Sequence, residues 1–204
     1  MNENFEKFVD FVKSECKTHK VKIKEYKRKY VKLSDTIKCG GYFDDGTDGK
    51  YVTQPTLAYA KGCDSAPELL VHEYCHMTQW LDGMSLWRKA NDSLGLVDDW
   101  LAGKEVDNIE EHLNNARDLE LDNEKRSVEM IKKWNLPIDV DLYTKKANAY
   151  VQFYNYMKES RRWSVPGRSP YSVPEVLEVM SDKFDMNYDE LTPEIHKVFV
   201  EQGI

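Results

Sequence analysis

The sequence predicts an α+β fold, with a small and mostly antiparallel sheet in the first third and a helical bundle after it. Two observations carry this reading. Between Val21 and Lys61 the chain alternates, or breaks into short aromatic runs separated by turn residues, as strands do. On either side of that region apolar residues recur three and four apart, as they do on one face of a helix.

The elements follow in order. Phe5, Phe8, Val9, Val12 and Cys16 share one helical face, so residues 3–18 are predicted to form an amphipathic helix. The alternation VKIKEYKRKYVKL, the run Cys39-Gly40-Gly41-Tyr42-Phe43 and the run TQPTLAYA at 53–60 read as strands, with DDGTDG at 44–49 as a turn. Pro55 has no amide hydrogen to donate, which suits that last strand to a sheet edge. Ser65 stands three residues before Glu68 with Pro67 between them, the pattern of a capping box. A helix is therefore predicted to start there and to stop near Gly83.

Residues 84–104 read as a short helix or an ordered excursion, and a long helix is predicted over about 105–135, ending before Pro137. Another is predicted over about 139–162, then a loop, RRWSVPGRSPYSVP, at 161–174 and one or two short C-terminal helices. The five tryptophans read as core residues. Neither a repeat nor a linker divides the chain, so 1–204 is expected to be one domain. Its parts would be an N-terminal helix and sheet (1–62), helices carrying the site (63–162) and a C-terminal extension (163–204).

A chain of 204 residues with 41% hydrophobic residues can bury one substantial core, and its formal charge of −7 argues against a general nucleic-acid binder. No run approaches the roughly 18 apolar residues of a membrane span, and MNENFEKFVDFVKSECK is charged throughout, unlike a signal peptide. Four cysteines without Cys-x-x-Cys spacing suggest neither a zinc ribbon nor a disulfide framework. The expected compartment is the cytoplasm, with no membrane partner.

The chemistry concentrates in VHEYCHM, residues 71–77. On a helix His72 and His76 lie one turn apart on one face and can reach one metal ion. Glu73 lies about 100° further round, beside the ion rather than on it, where a carboxylate suits a base acting on water. The flanking Leu69, Leu70, Val71, Met77 and Thr78 carry no charge, which indicates a buried helix; Cys75 reads as a packing residue. The bland alternative is a buried helix with two hydrogen-bonded histidines. A third ligand would separate the two readings, because a catalytic zinc takes three protein ligands and keeps a fourth position open.

No histidine follows at the spacing of an extended His-Glu-x-x-His-x-x-Gly-x-x-His pattern. The long downstream helix supplies candidates instead. One stripe of it collects Leu113, Ala116, Glu120, Leu121, Glu124, Val128, Ile131 and Trp134, placing two glutamates in an apolar face. Buried carboxylates need a partner or a metal. Either an Arg117–Glu124 pair or a metal site would satisfy that need. In the metal reading one glutamate is a ligand and the other supports it, and the stripe alone does not decide which.

His72, Glu73, His76, Glu120 and Glu124 together resemble the gluzincin zinc metallopeptidases, in which a glutamate from a later helix completes the site and an acidic residue follows four positions on. More narrowly, HEYCHMTQW, LELDNEKR, NLPID and KANAYVQFYNYM are similar to uncharacterised metallopeptidase-like proteins of large tailed bacteriophages. The resemblance implies a zincin-like fold, one Zn2+ held by His72, His76 and Glu120, and Glu124 supporting a ligand histidine. It implies Glu73 as general base in the hydrolysis of a peptide or protein substrate, at internal bonds rather than ends, in the host cytoplasm if the chain is phage-encoded. It also implies a substrate laid along the strand at 53–60. Tyr150, Tyr154, Tyr171 and His196 are the candidates to stabilise an oxyanion, and the sequence does not choose among them. The competing expectation is a zinc-containing protein-binding module without proteolytic activity.

Overall fold

The computed structural model describes residues 2–33, 38–47, 52–165 and 167–204. It is α+β, with seven α-helices and a three-stranded sheet among those residues. They fall into two compact units: Met1–Gly83 with Arg126–Ile138, and Met84–Lys125 with Asp139–Ile204.

In the first unit α1 (Glu3–Thr18) is capped by the Asn2 side chain, which accepts from the amides of Asn4 and Phe5, and it buries the predicted Phe5, Phe8, Val9, Val12 and Cys16. The strands are β1 (Lys22–Tyr26), β2 (Val31–Lys32), β3 (Lys38–Cys39), β4 (Gly41–Asp44) and β5 (Thr56–Ala60). Strands β2 and β3 form a small antiparallel ladder, while the main sheet has the order β1-β5-β4. Part of the turn predicted at 44–49 lies outside the described residues.

This corrects two expectations. The sheet is mixed rather than mostly antiparallel, because β5 runs parallel to β1 and antiparallel to β4. The strand expected at the edge is the central one, and all 5 of its residues are buried. Pro55 does not prevent this, since it precedes the strand and only its carbonyl is used, accepting from the Lys22 amide at 2.7 Å. An apolar strand buried on both faces takes the middle of a sheet, and its local sequence does not reveal which strands will flank it.

Helix α2 (Ala66–Leu81) covers β5 and β4. It starts where predicted, but the capping box does not form: Ser65 makes no side-chain cap, and its hydroxyl lies 3.1 Å from the Cys63 thiol. On the other side of α2, Tyr74 meets Phe8 and Phe11 edge-on at 5.9 and 5.5 Å, and Trp134 closes the cluster against the same two rings at 5.6 and 4.8 Å.

The second unit is helical. Residues 85–101 form a full helix, α3 (Ser85–Leu101), longer than the excursion expected there. Helix α4 (Ile109–Trp134) is one uninterrupted element whose residues from Arg126 belong to the first unit. Then follow α5 (Val140–Ser160), a 3-10 turn at Pro170–Ser172, α6 (Pro174–Glu178) and α7 (Pro193–Glu201). Leu113, Phe153, Met157, Val176, Ile195 and Phe199 are central to this core. Trp163, expected inside, is 44% exposed and stacks on Phe153 at 6.0 Å.

Irregular backbone at 181–189 is held by a polar stripe on α5. The Asn148 amide donates to the carbonyls of Ser181 and Lys183, Gln152 to that of Asn187, and Asn155 to that of Tyr188. Arg117 is buried and directs its guanidinium to Asp118, Asn114, Asn155 and Asp189, so the Arg117–Glu124 pair considered from the sequence is not what occupies it.

At the β1–β5 junction burial opposes ionisation of Glu25, but hydrogen bonds from Lys13, Lys61 and Tyr59 outweigh it and hold the carboxyl down at about 2. An acid depressed in the folded state contributes stability that is present above its ordinary value of 4.5 and lost as pH falls toward about 2. Glu25→Gln is expected to cost about 1–2 kcal/mol near neutral pH. Chemical denaturation at a series of pH values should show that difference closing through the same window.

Candidate metal centre

The site begins with α2, whose residues Leu70, Val71, Tyr74, Cys75 and Met77 are buried against the sheet and α1. Packing on several faces fixes the rotation of the helix, and with it the direction of the polar side chains it carries. His72 is half-buried and His76 is 9% exposed, with ring centroids 4.7 Å apart and planes nearly perpendicular. The donor atoms of His72, His76 and Glu120 all lie within 4.8 Å of one another, so this group could hold a metal ion. Two imidazoles and a carboxylate form a donor set suited to zinc, leaving a fourth position for a small ligand.

Glu124 is buried one turn beyond Glu120 and is not part of that donor group. The stripe that carries them is broader than predicted. Arg117, Leu119, Asn123 and Ser127 are buried on α4, while Leu121 and Trp134 are half-buried.

His76 has a neighbour that sequence reasoning missed. Its Nδ1 lies 2.9 Å from Oε1 of Gln79, which is 0% exposed. The amide oxygen accepts from Nδ1–H, which fixes the tautomer and leaves Nε2 as the nitrogen with a lone pair for an ion. The available signal was a glutamine three residues after His76 on a helix with uncharged flanks, where the two side chains are neighbours.

Glu73, the predicted base, is 6% exposed and sits against β4 at Gly41. Burial first, and then the charge of Glu73, push the Cys39 thiol up. None of the four cysteines is in a disulfide, and Cys75 is a packing residue, as expected.

Of the four oxyanion candidates, the structure brings three together. The hydroxyls of Tyr150 and Tyr154 are 3.2 Å apart, and the Tyr171 ring meets Tyr150 edge-on at 6.0 Å. Desolvation raises the pKa of both Tyr150 and Tyr154, and the charge of Glu120 raises them further, so both stay protonated donors. His196 is not in this group; its Nε2 lies 2.9 Å from Oε2 of Glu159 and its ring packs on Tyr156. Outside this group, His112 bonds Ser93 and serves packing.

No family model, curated protein or solved structure significantly matches the chain. Among the described residues no helix is long and apolar enough to cross a membrane.

Gln79→Leu should weaken the binding of a metal ion, with zinc as the probe, by about 10- to 100-fold. Competition against a chelator measures this, and an unchanged far-ultraviolet circular dichroism spectrum would separate it from loss of fold.

Proposed function

We propose that the protein is a zinc-dependent metallopeptidase that hydrolyses internal bonds of a peptide or protein substrate. The observation that carries the reading is the convergence of His72, His76 and Glu120 within 4.8 Å, with buried Glu73 on the same helix as the two histidines. A zinc ion held by those three residues would polarise a substrate carbonyl and lower the pKa of a coordinated water toward about 7.

The chain's own residues supply the rest. Glu73 takes a proton from the attacking water and returns it to the leaving amine, as a general base that becomes a general acid. Gln79 keeps His76 in the ligating tautomer. Tyr150 is our choice of oxyanion donor, because it is protonated and more exposed than Tyr154, which is 2% exposed and packed beneath it. An extended substrate cannot use β5, whose edges are both taken, so β4, the sheet edge beside Glu73, replaces it as the docking strand.

The alternative, a zinc-stabilised binding module without proteolysis, has less support. A structural zinc is closed by four protein ligands, whereas the donor group among the described residues has three, and a purely structural site has no use for a buried base at Glu73.

The purified protein is expected to carry about one equivalent of zinc, lost in Glu120→Ala and kept in Glu73→Gln. Glu73→Gln should reduce peptide cleavage by about 10²- to 10⁴-fold. Comparing host and phage proteins cut by wild type and by Glu73→Gln, by mass spectrometry, reads both activity and substrate. Cleavage that persists at the wild-type rate in Glu73→Gln overturns the mechanism, and purified protein without zinc overturns the reading as a whole.

A further inference from the structure

Glycine at position 41 is not explained by backbone conformation. Its φ is not among the positive values that make glycine the favoured residue at Gly46, Gly83, Gly103, Gly167 and Gly203. It is the first residue of β4, paired with Tyr59, where glycine forgoes the packing of a side chain and weakens a strand. What position 41 lacks is room. A Cβ there would lie 2.8 Å from Cγ and 2.8 Å from Oε1 of Glu73, and 2.8 Å from the Ala58 carbonyl oxygen. Carbon atoms in contact sit about 3.5–4.0 Å apart, so the present position of the Glu73 side chain and any side chain at residue 41 exclude one another.

The structure can yield in three ways. Strand β4 can move from β5, which strains a ladder of backbone hydrogen bonds. Helix α2 can move, which disturbs a face buried against the sheet. Glu73 can rotate about its own side-chain torsions, which leaves helix and sheet in place. The last relieves the contact with Glu73 at least cost, while the contact with the Ala58 carbonyl is relieved only by movement of the strands. Neighbouring Gly40 differs, since the three atoms nearest a Cβ there all belong to the flexible side chain of Leu69.

We propose that Gly41 is a positioning residue for Glu73: the bare strand backbone at this point sets where the carboxylate rests and how far it reaches. The inference rests on the reading of Glu73 as the base, but its physical core, the mutual exclusion of residue 41 and Glu73, can be tested without that reading.

The test is a two-by-two cycle in the full chain as purified, with Gly41→Ala made in wild type and in Glu73→Ala, reading unfolding midpoint, zinc content, kcat and KM. Gly41→Ala should lower the midpoint in wild type and at most half as much in Glu73→Ala. The part that remains belongs to the Ala58 carbonyl. In the wild-type background zinc should stay near one equivalent and KM within about threefold, while kcat falls about 10- to 100-fold, the scale on which misplacing a reacting group acts. Equal midpoint losses in both backgrounds, or an unfolded chain in both, would overturn the inference and make Gly41 a residue of the β4–β5 ladder alone. Folding rescued by Glu73→Ala supports it. Coupled midpoints with an unchanged kcat overturn the positioning role. Coupled midpoints in a protein that cleaves nothing uphold the exclusion of the two side chains and overturn the peptidase reading instead.

Discussion

A helix buried on several faces must satisfy every polar group it carries, and α2 carries His76, Glu73 and Gln79 at 9%, 6% and 0% exposure. Leaving such groups unpaired would cost several kcal/mol in a domain whose whole stability is of order 5–15 kcal/mol. The structure meets the constraint locally. Gln79 accepts from His76, and Glu73 is housed where β4 has no side chain. Everything proposed for the site follows from this arrangement, since the same burial that demands partners also holds the side chains still.

Much of the outline was legible in the sequence. Helix α1 and the starts of α2 and α5 were readable because apolar periodicity marks them and, at α2, Pro67 marks the first turn even though the Ser65 cap does not form. The histidines were readable from their four-residue spacing on an uncharged helix, and Glu120 because charge on an apolar stripe is anomalous without a partner. Local signals failed where the outcome depended on distant chain. Pro55 pointed to an edge strand, yet β5 is central, because its neighbours β1 and β4 are chosen by tertiary pairing. Gln79 looked like any helical glutamine until His76 was placed against it. Of the oxyanion candidates, His196 had no local feature to distinguish it from the three tyrosines, and only the packing of α5 and α7 sends it to Glu159.

Arg117 illustrates the same limit from the opposite side. On the helical stripe it offered itself to Glu124, two turns along the same side of the helix. In the fold it goes to Asp118, Asn155 and Asp189. A buried guanidinium with five donors requires several acceptors at once, and only the segment near 189 completes that set.

The amide stripe on α5 has a consequence for how the second unit comes apart. Residues 181–189 form no regular secondary structure among themselves, yet the carbonyls of Ser181, Lys183, Asn187 and Tyr188 are taken by Asn148, Gln152 and Asn155. A loop that relied on water would open by itself, with amide protons exchanging at almost no free-energy cost. Here the order of the segment is borrowed from the interior of a 21-residue helix. The segment and α5 therefore behave as one cooperative unit, and what looks like a surface connection shares the lifetime of the core.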